Sequence, residues 1–200
     1  MLFFFYSDNT SNMSERISLL CFLGNPGKQY AATRHNAAWL LLNAFEQENP
    51  LTWQQKFKGK FAKHQVPGKN AVYFYTPHTF MNKSGEGVRE ISAFFSIPEK
   101  EILVVYDELD LVPGTWKARR GGGLKGHNGL RSVQQHLGDN NFVRIAIGIG
   151  RPDHPSFPVQ KWVLSTFRED EKADLFRGFD DLIGLLRSIA DQGVMIIPGS

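Results

Sequence analysis

Three kinds of polar side chain stand beyond apolar runs in this 200-residue chain, and together they have the makings of a site that activates water. His35 lies in Thr33-Arg34-His35-Asn36, ahead of an apolar-periodic stretch. Asp107-Glu108-Leu109-Asp110 follows the most apolar run, residues 102–106. Asn25, Asn82 and Asn128 occupy polar loops that lead into helical patterns. Histidine is the side chain whose ordinary pKa lets it take a proton near pH 7. A carboxylate on its other nitrogen holds one tautomer and stabilises the imidazolium as the ring is protonated. Amide groups fix a water or meet a developing oxyanion.

Each of these residues has a bland rival. His35 sits where a helix starts, and the partial positive charge of that end disfavours imidazolium and keeps a neutral ring available. Ser84 in Thr79-Phe80-Met81-Asn82-Lys83-Ser84-Gly85 reads as a helix cap, with Phe80 and Met81 as core. Asn82 rises above that reading because Asn25 repeats its placement between a strand and a helix. Clustered carboxylates with His35 or His127 suggest a metal, but no His-Glu-x-x-His spacing occurs. Gly121-Gly122-Gly123-Leu124-Lys125-Gly126 satisfies the glycine fingerprint of dinucleotide sites, yet it follows a basic, exposed stretch rather than a buried first strand. Its glycines let backbone approach a substrate closely, with His127 and Asn128 as donors. A Gly-x-Ser-x-Gly elbow and a Walker phosphate loop are both absent.

Elements must hold these groups in place. Apolar, β-rich runs at residues 17–23, 71–75, 102–106 and 143–149 predict strands, and 115–119 adds a more exposed one. Residues 162–167 are ambiguous between strand and helix start. Helical patterns cover 37–46, 85–95, 130–137 and 169–189, the last with Leu175, Phe179, Leu182, Leu185, Leu186 and Ile189 on one stripe. Alternation of strands and helices predicts a sheet covered on both faces, with ligands bound beyond the carboxyl ends of its strands. The Pro-containing stretch 151–158 reads as a surface loop or lid.

The length fits one domain. No apolar run approaches the ~20 residues of a membrane span, so a soluble protein is expected. The net charge is +3, and its distribution says more. Between residues 117 and 151, Lys117, Arg119, Arg120, Lys125, Arg131, Arg144 and Arg151 stand against the single carboxylate Asp139, so this segment is where an anionic partner, which the charge permits without requiring, would bind. Cys21 lies inside an apolar run and reads as a small buried hydrophobe. Residues 1–15 read as a disordered extension ahead of a domain over 16–200. The apolar start Met1-Leu2-Phe3-Phe4-Phe5-Tyr6 lacks a basic flank and a cleavage pattern.

Over residues 17–189, these four motifs in this order resemble the bacterial-type peptidyl-tRNA hydrolases. The resemblance implies a single three-layer α/β domain: a twisted, mixed, mostly parallel sheet with helices on both faces. It also implies a monomer in the cytoplasm, needing no metal or other cofactor. The implied reaction is hydrolysis of the ester between a peptide and the terminal ribose of tRNA. By motif, His35 matches the catalytic histidine, Asp107 its orienting carboxylate, and Asn25, Asn82 and Asn128 the asparagines that hold the peptide part and position water. His127, Tyr30, Phe80 and Met81 match residues lining the site. Lys117 and Arg119 match basic residues that meet tRNA phosphate in the acceptor stem, with Arg120 and Lys125 as further candidates. Two departures stand out: Ala146 where the family often has a second basic residue, and Leu124 where a histidine is frequent. The rival function is an RNA- or protein-binding scaffold on the same fold that has lost catalysis.

Overall fold

In a computed structural model, residues 13–65, 68 and 70–197 are described. Strands β1 (Met13–Arg16) and β2 (Leu19–Phe22) lead to helix α1 (Ala37–Glu46). A hairpin of β3 (Trp53–Lys56) and β4 (Gly59–His64) precedes β5 (Val72–Pro77) and α2 (Ser84–Phe94). Then come β6 (Ile102–Glu108), β7 (Trp116–Arg120), α3 (Asn128–Leu137) and β8 (Val143–Gly148). The chain closes with α4 (Val159–Val163), α5 (Glu169–Gln192) and β9 (Val194–Ile197).

The apolar runs become the centre of a seven-stranded sheet of order β3-β4-β5-β2-β6-β8-β7. Its four central strands, β5-β2-β6-β8, are mutually parallel. The expectation of a mostly parallel sheet holds there and not at the edges, where the three outer ladders are antiparallel. Every residue of β2 and of β6 is buried, as required of parallel strands covered on both faces, and this is why they read as unbroken apolar runs. The pleat sends alternate residues to opposite layers. Leu20, Phe22, Leu103 and Val105 pack with α1 residues Leu41 and Phe45 and α5 residues Leu182 and Leu186. Leu19, Cys21, Ile102 and Val104 pack with Val88 and Ile91 of α2 and with Leu130 and Val133 of α3. Burial pushes the Cys21 thiol far up, so it is inert.

Several elements escape the sequence pattern. The β3–β4 hairpin is an edge ribbon whose β3 is mostly exposed, so it lacks a buried run to announce it. Met13–Arg16, the end of the expected extension, pairs antiparallel with β9, while residues 1–12 lie outside the described residues. The ambiguous stretch 162–167 resolves into the end of α4 followed by an isolated bridge between Thr166 and Thr33.

The path from β2 goes out to β5 on one side, and the chain then crosses to β6 on the other. That reversal opens a crevice at the carboxyl ends of the strands. The loops after β2 and β5 carry Asn25 and Asn82 to it, and Asp107 stands near the carboxyl end of β6 itself.

Candidate active site

His35 lies in a single 3-10 turn, Arg34–Asn36, between the β2 loop and α1. Its Nδ1 is 2.8 Å from Asp107 Oδ1, at the end of β6. The same oxygen is 2.9 Å from Nε2 of His127, the N-cap residue of α3. One carboxylate oxygen thus receives two imidazole N–H groups, and the rings lie 5.2 Å apart. The hydrogen-bond network assigns both tautomers. Leu130 N–H donates to His127 Nδ1 at 3.2 Å, so His127 carries its proton on Nε2 and donates it to Asp107. His35 donates from Nδ1, which leaves Nε2 with a lone pair and no partner among the described residues.

Charge follows from burial and pairing. Asp107 is 4 % exposed. Burial works against its ionisation, but the charges and hydrogen bonds of His35 and His127 outweigh that and hold the carboxyl well below the usual carboxylate range. Burial likewise disfavours the His35 imidazolium, yet the charge and hydrogen bond of Asp107 raise its pKa above the ordinary 6.5. The expectation of a ring kept neutral by the helix start is therefore reversed in sign, because an ionised oxygen at 2.8 Å outweighs a partial charge. Above that raised value, Nε2 is a proton acceptor.

Ligand atoms of His35, Asp107 and His127 all lie within 4.8 Å of one another, so the metal reading returns on geometry. The cap hydrogen bond weighs against it. With Leu130 N–H on Nδ1, the Nε2 that a metal would need already holds the proton.

The asparagines divide into a buried one and two exposed ones. Asn25 is 6 % exposed, and its Oδ1 accepts Met81 N–H at 2.7 Å, tying the β2 loop to the turn Met81–Lys83. That bond commits the oxygen and leaves Nδ2 as the group able to meet a substrate carbonyl. Asn82 is exposed on that turn, with no side-chain hydrogen bond among the described residues. Asn128, also exposed, opens α3 beside His127 and accepts a loose 3.4 Å bond from Arg131. Tyr30 and Phe80 meet edge to face at 6.5 Å, and Phe80 is 57 % exposed, not core. Met81 is buried. It packs where a Cβ on Gly129 would come within 2.5 Å of its Sδ and 3.0 Å of His127 Cε1, so the bare Gly129 backbone lets α3 seat against both.

Asn36, which the sequence reading leaves without a role, completes the frame. Fully buried, it accepts Asn25 N–H through Oδ1 at 2.9 Å and donates from Nδ2 to the Asn25 carbonyl at 3.0 Å. Its place next to His35 is the only signal the sequence offers, and there it looks like an ordinary helix cap.

The basic segment separates by strand face. Lys117 and Arg119 register opposite Ala146 and Arg144 on one face of β7 and β8, so Ala146 lies directly across from Lys117. Arg120, expected among the tRNA contacts, turns to the other face with Trp116 and Ala118 and is held by Glu15, its Nε 2.8 Å from Oε1, and by the Lys100 carbonyl at 3.0 Å. Lys125 is matched too, by Asp110 at 2.8 Å and Glu108 at 3.4 Å, and Arg151 shares Asp110 at 2.7 Å. Of the four residues expected to meet tRNA, Lys117 and Arg119 remain without acidic partners among the described residues. The glycine run faces these arginines: Arg144 donates to the carbonyls of Gly122 at 2.7 Å and Gly123 at 3.1 Å, and Arg119 donates to Gly123 at 3.0 Å. Following an antiparallel edge strand, the run is not the first turn of a βαβ unit, and the dinucleotide reading fails.

Comparison with known proteins places this architecture. The family model described as peptidyl-tRNA hydrolase matches residues 19–197. The peptidyl-tRNA hydrolase of Treponema pallidum is 44% identical over 185 residues, covering 90% of this chain and 91% of the relative. That of Desulfitobacterium hafniense is 39% identical over 181 residues, with 90% and 91% covered. The crystal structure of the Acinetobacter baumannii peptidyl-tRNA hydrolase superposes with a TM-score of 0.79 at 35% identity, covering 87% of this chain and 88% of that one.

Proposed function

Because the chain belongs to the peptidyl-tRNA hydrolase family, whose activity is hydrolysis of the ester joining a peptide to tRNA, we propose that His35 is the general base of that reaction and Asp107 its orienting partner. Nε2 takes a proton from water as the oxygen attacks the ester carbonyl, and the imidazolium then returns it to the departing ribose oxygen. Asp107 keeps Nδ1 protonated and stabilises the ring while it is charged. His127 presents a second N–H to the same oxygen, which keeps that carboxylate ionised and aimed.

The developing oxyanion and the peptide part need donors. Asn25 Nδ2 and the exposed amides of Asn82 and Asn128 line the same crevice, and one such donor contributes about 3 kcal/mol in other hydrolases. Tyr30 and Phe80 supply apolar contact beside them. Lys117 and Arg119 meet the acceptor-stem phosphates. Contacts of that kind give affinity and salt dependence without reading bases, which suits an enzyme that accepts many tRNAs.

The observation that supports this reading most is the single arrangement of His35 Nδ1 on a buried Asp107 with Nε2 left without a partner among the described residues. The test is release of N-acetyl-amino acid from N-acetyl-aminoacyl-tRNA. His35→Ala should lower kcat by a factor on the order of 100 to 10,000 and leave tRNA binding near its normal strength. Cleavage by that variant at the wild-type rate would overturn the assignment.

A further inference from the structure

The residue just before the proposed base is, with Arg144, the largest fully buried side chain among the described residues. Arg34 is 1 % exposed, and its guanidinium fans out to three separate parts of the chain. Nη2 is 2.6 Å from Glu171 Oε2 in the first turn of α5, Nη1 donates to the carbonyl of Ile149 just after β8 at 3.1 Å, and Nε donates to Ser165 Oγ at 3.3 Å. The plane of the guanidinium is covered as well, by the Trp162 ring with its centroid 3.7 Å from Cζ and by Phe167 at 4.8 Å. The backbone joins in, since Arg34 N–H donates to the Ser165 carbonyl at 2.9 Å.

On the other side of His35, Asn36 is pinned by two hydrogen bonds to the Asn25 backbone. His35 therefore stands between two immobilised, fully buried neighbours in a turn of three residues. In so short a turn, fixing the direction of one side chain fixes its neighbour's, and the imidazole leaves the turn toward Asp107. A bare buried ion pair is a costly way to gain stability. A planar fork that reads three partners and lies against two aromatic rings sets an orientation, which a lysine cannot reproduce.

We infer that Arg34, held by Glu171, is a positioning residue for the reaction: it fixes the rotation of the Arg34–Asn36 turn and so keeps His35 Nδ1 on Asp107. The inference rests on the proposed role of His35. The charged or titratable groups facing the His35 ring are Asp107 at the end of β6 and His127 at the start of α3, whereas the Arg34 charge is turned away and matched by Glu171. Loosening the turn should therefore act on His35 through Asp107, weakening the interaction that favours the imidazolium and leaving burial, which opposes it.

The decisive variant is Arg34→Lys, which keeps the charge and loses the fork. Steady-state hydrolysis of N-acetyl-aminoacyl-tRNA across pH and an NMR titration of the His35 ring are measured on the same protein. The expected result is a kcat lowered about tenfold or more, a KM unchanged within about twofold, and a downward shift of the His35 titration midpoint. A folded variant with a lower Tm but wild-type kcat and midpoint would show a merely structural residue and overturn the inference, as would a raised KM alone. Should Arg34→Lys not fold, Glu171→Gln decides the matter, since it keeps an acceptor for Arg34 and removes the charge. The same signs with a smaller loss of kcat are expected from it, and wild-type values overturn the inference. If the wild-type protein does not cleave the substrate, the proposed function fails, while the NMR midpoint still reports on Arg34.

Discussion

Replacing Asp107 by asparagine removes one charge from the middle of the site and changes almost nothing in size. The side chain is 2 % exposed, and its Oδ1 lies 2.8 Å from His35 Nδ1. In the proposed reaction His35 takes the proton from water and a full charge develops on the ring. At a charge separation of about 4 Å and an effective dielectric constant of about 20, the carboxylate stabilises that charge by about 4 kcal/mol. An amide oxygen keeps a neutral hydrogen bond worth about 1 kcal/mol. The difference, about 3 kcal/mol, predicts roughly a hundredfold loss of kcat. A flipped amide, with its NH2 on Nδ1, would favour the wrong tautomer and cost more. KM should stay near its normal value.

The pH profile carries the sign of the same argument. With His35 as the proposed base, activity requires its neutral ring, so the acid limb of kcat should follow its pKa. In the wild type that limb has its midpoint above 6.5, because Asp107 outweighs burial. In Asp107→Asn only burial remains, and the midpoint should fall below 6.5. Single-turnover hydrolysis of N-acetyl-aminoacyl-tRNA from pH 5 to 9 reads both quantities; these limits span about two units either side of neutrality. A kcat within about threefold of wild type with an unmoved midpoint would refute the orienting role.

Other expectations concern the frame and the basic face. In Gly85→Ala the new Cβ would lie 2.1 Å from the Ser132 carbonyl oxygen, so α2 and α3 must part at their crossing. Thermal unfolding should register a loss of about 1–3 kcal/mol or more, with reduced kcat as α3 carries His127 away from Asp107. Arg120→Ala breaks the bond to Glu15 and the one to the Lys100 carbonyl. It should cost about 2 kcal/mol in denaturant titrations and leave tRNA affinity unchanged; a clear loss of affinity would return Arg120 to the proposed tRNA contacts. Lys117→Ala should weaken binding of intact tRNA and lower the slope of log affinity against log salt by about 1, while sparing cleavage of an aminoacyl fragment without the tRNA body.

Local pattern was enough to reveal the central strands, the four long helices and the polar loops between them, since each rests on a run of neighbours: the unbroken apolar residues of β2 and β6, or the stripe from Leu175 to Ile189 along α5. It also singled out His35 and Asp107, whose residue types and positions beyond strand ends are themselves sequence facts. The β3–β4 hairpin stayed hidden because neither strand has an unbroken buried run to betray it, whereas the opposite edge strand, β7, was legible at residues 115–119. Strand β1 exists only by pairing with β9, near the far end of the chain.

What the tertiary structure alone decided is which atoms meet. That His35 and His127 share one oxygen of Asp107, and that Leu130 N–H selects the His127 tautomer, depends on where α3 docks. Arg119 and Arg120 are neighbours in sequence, yet the pleat and the register with β8 put one on the face of Lys117 and Arg144 and the other on Glu15. One residue of offset exchanges the faces, and no local propensity records the register. Arg34 reads as one more polar loop residue until Glu171, 137 positions away, comes to lie against it. Sequence sets the groups that can do the chemistry, and long-range packing sets the distances and protonation that let them do it.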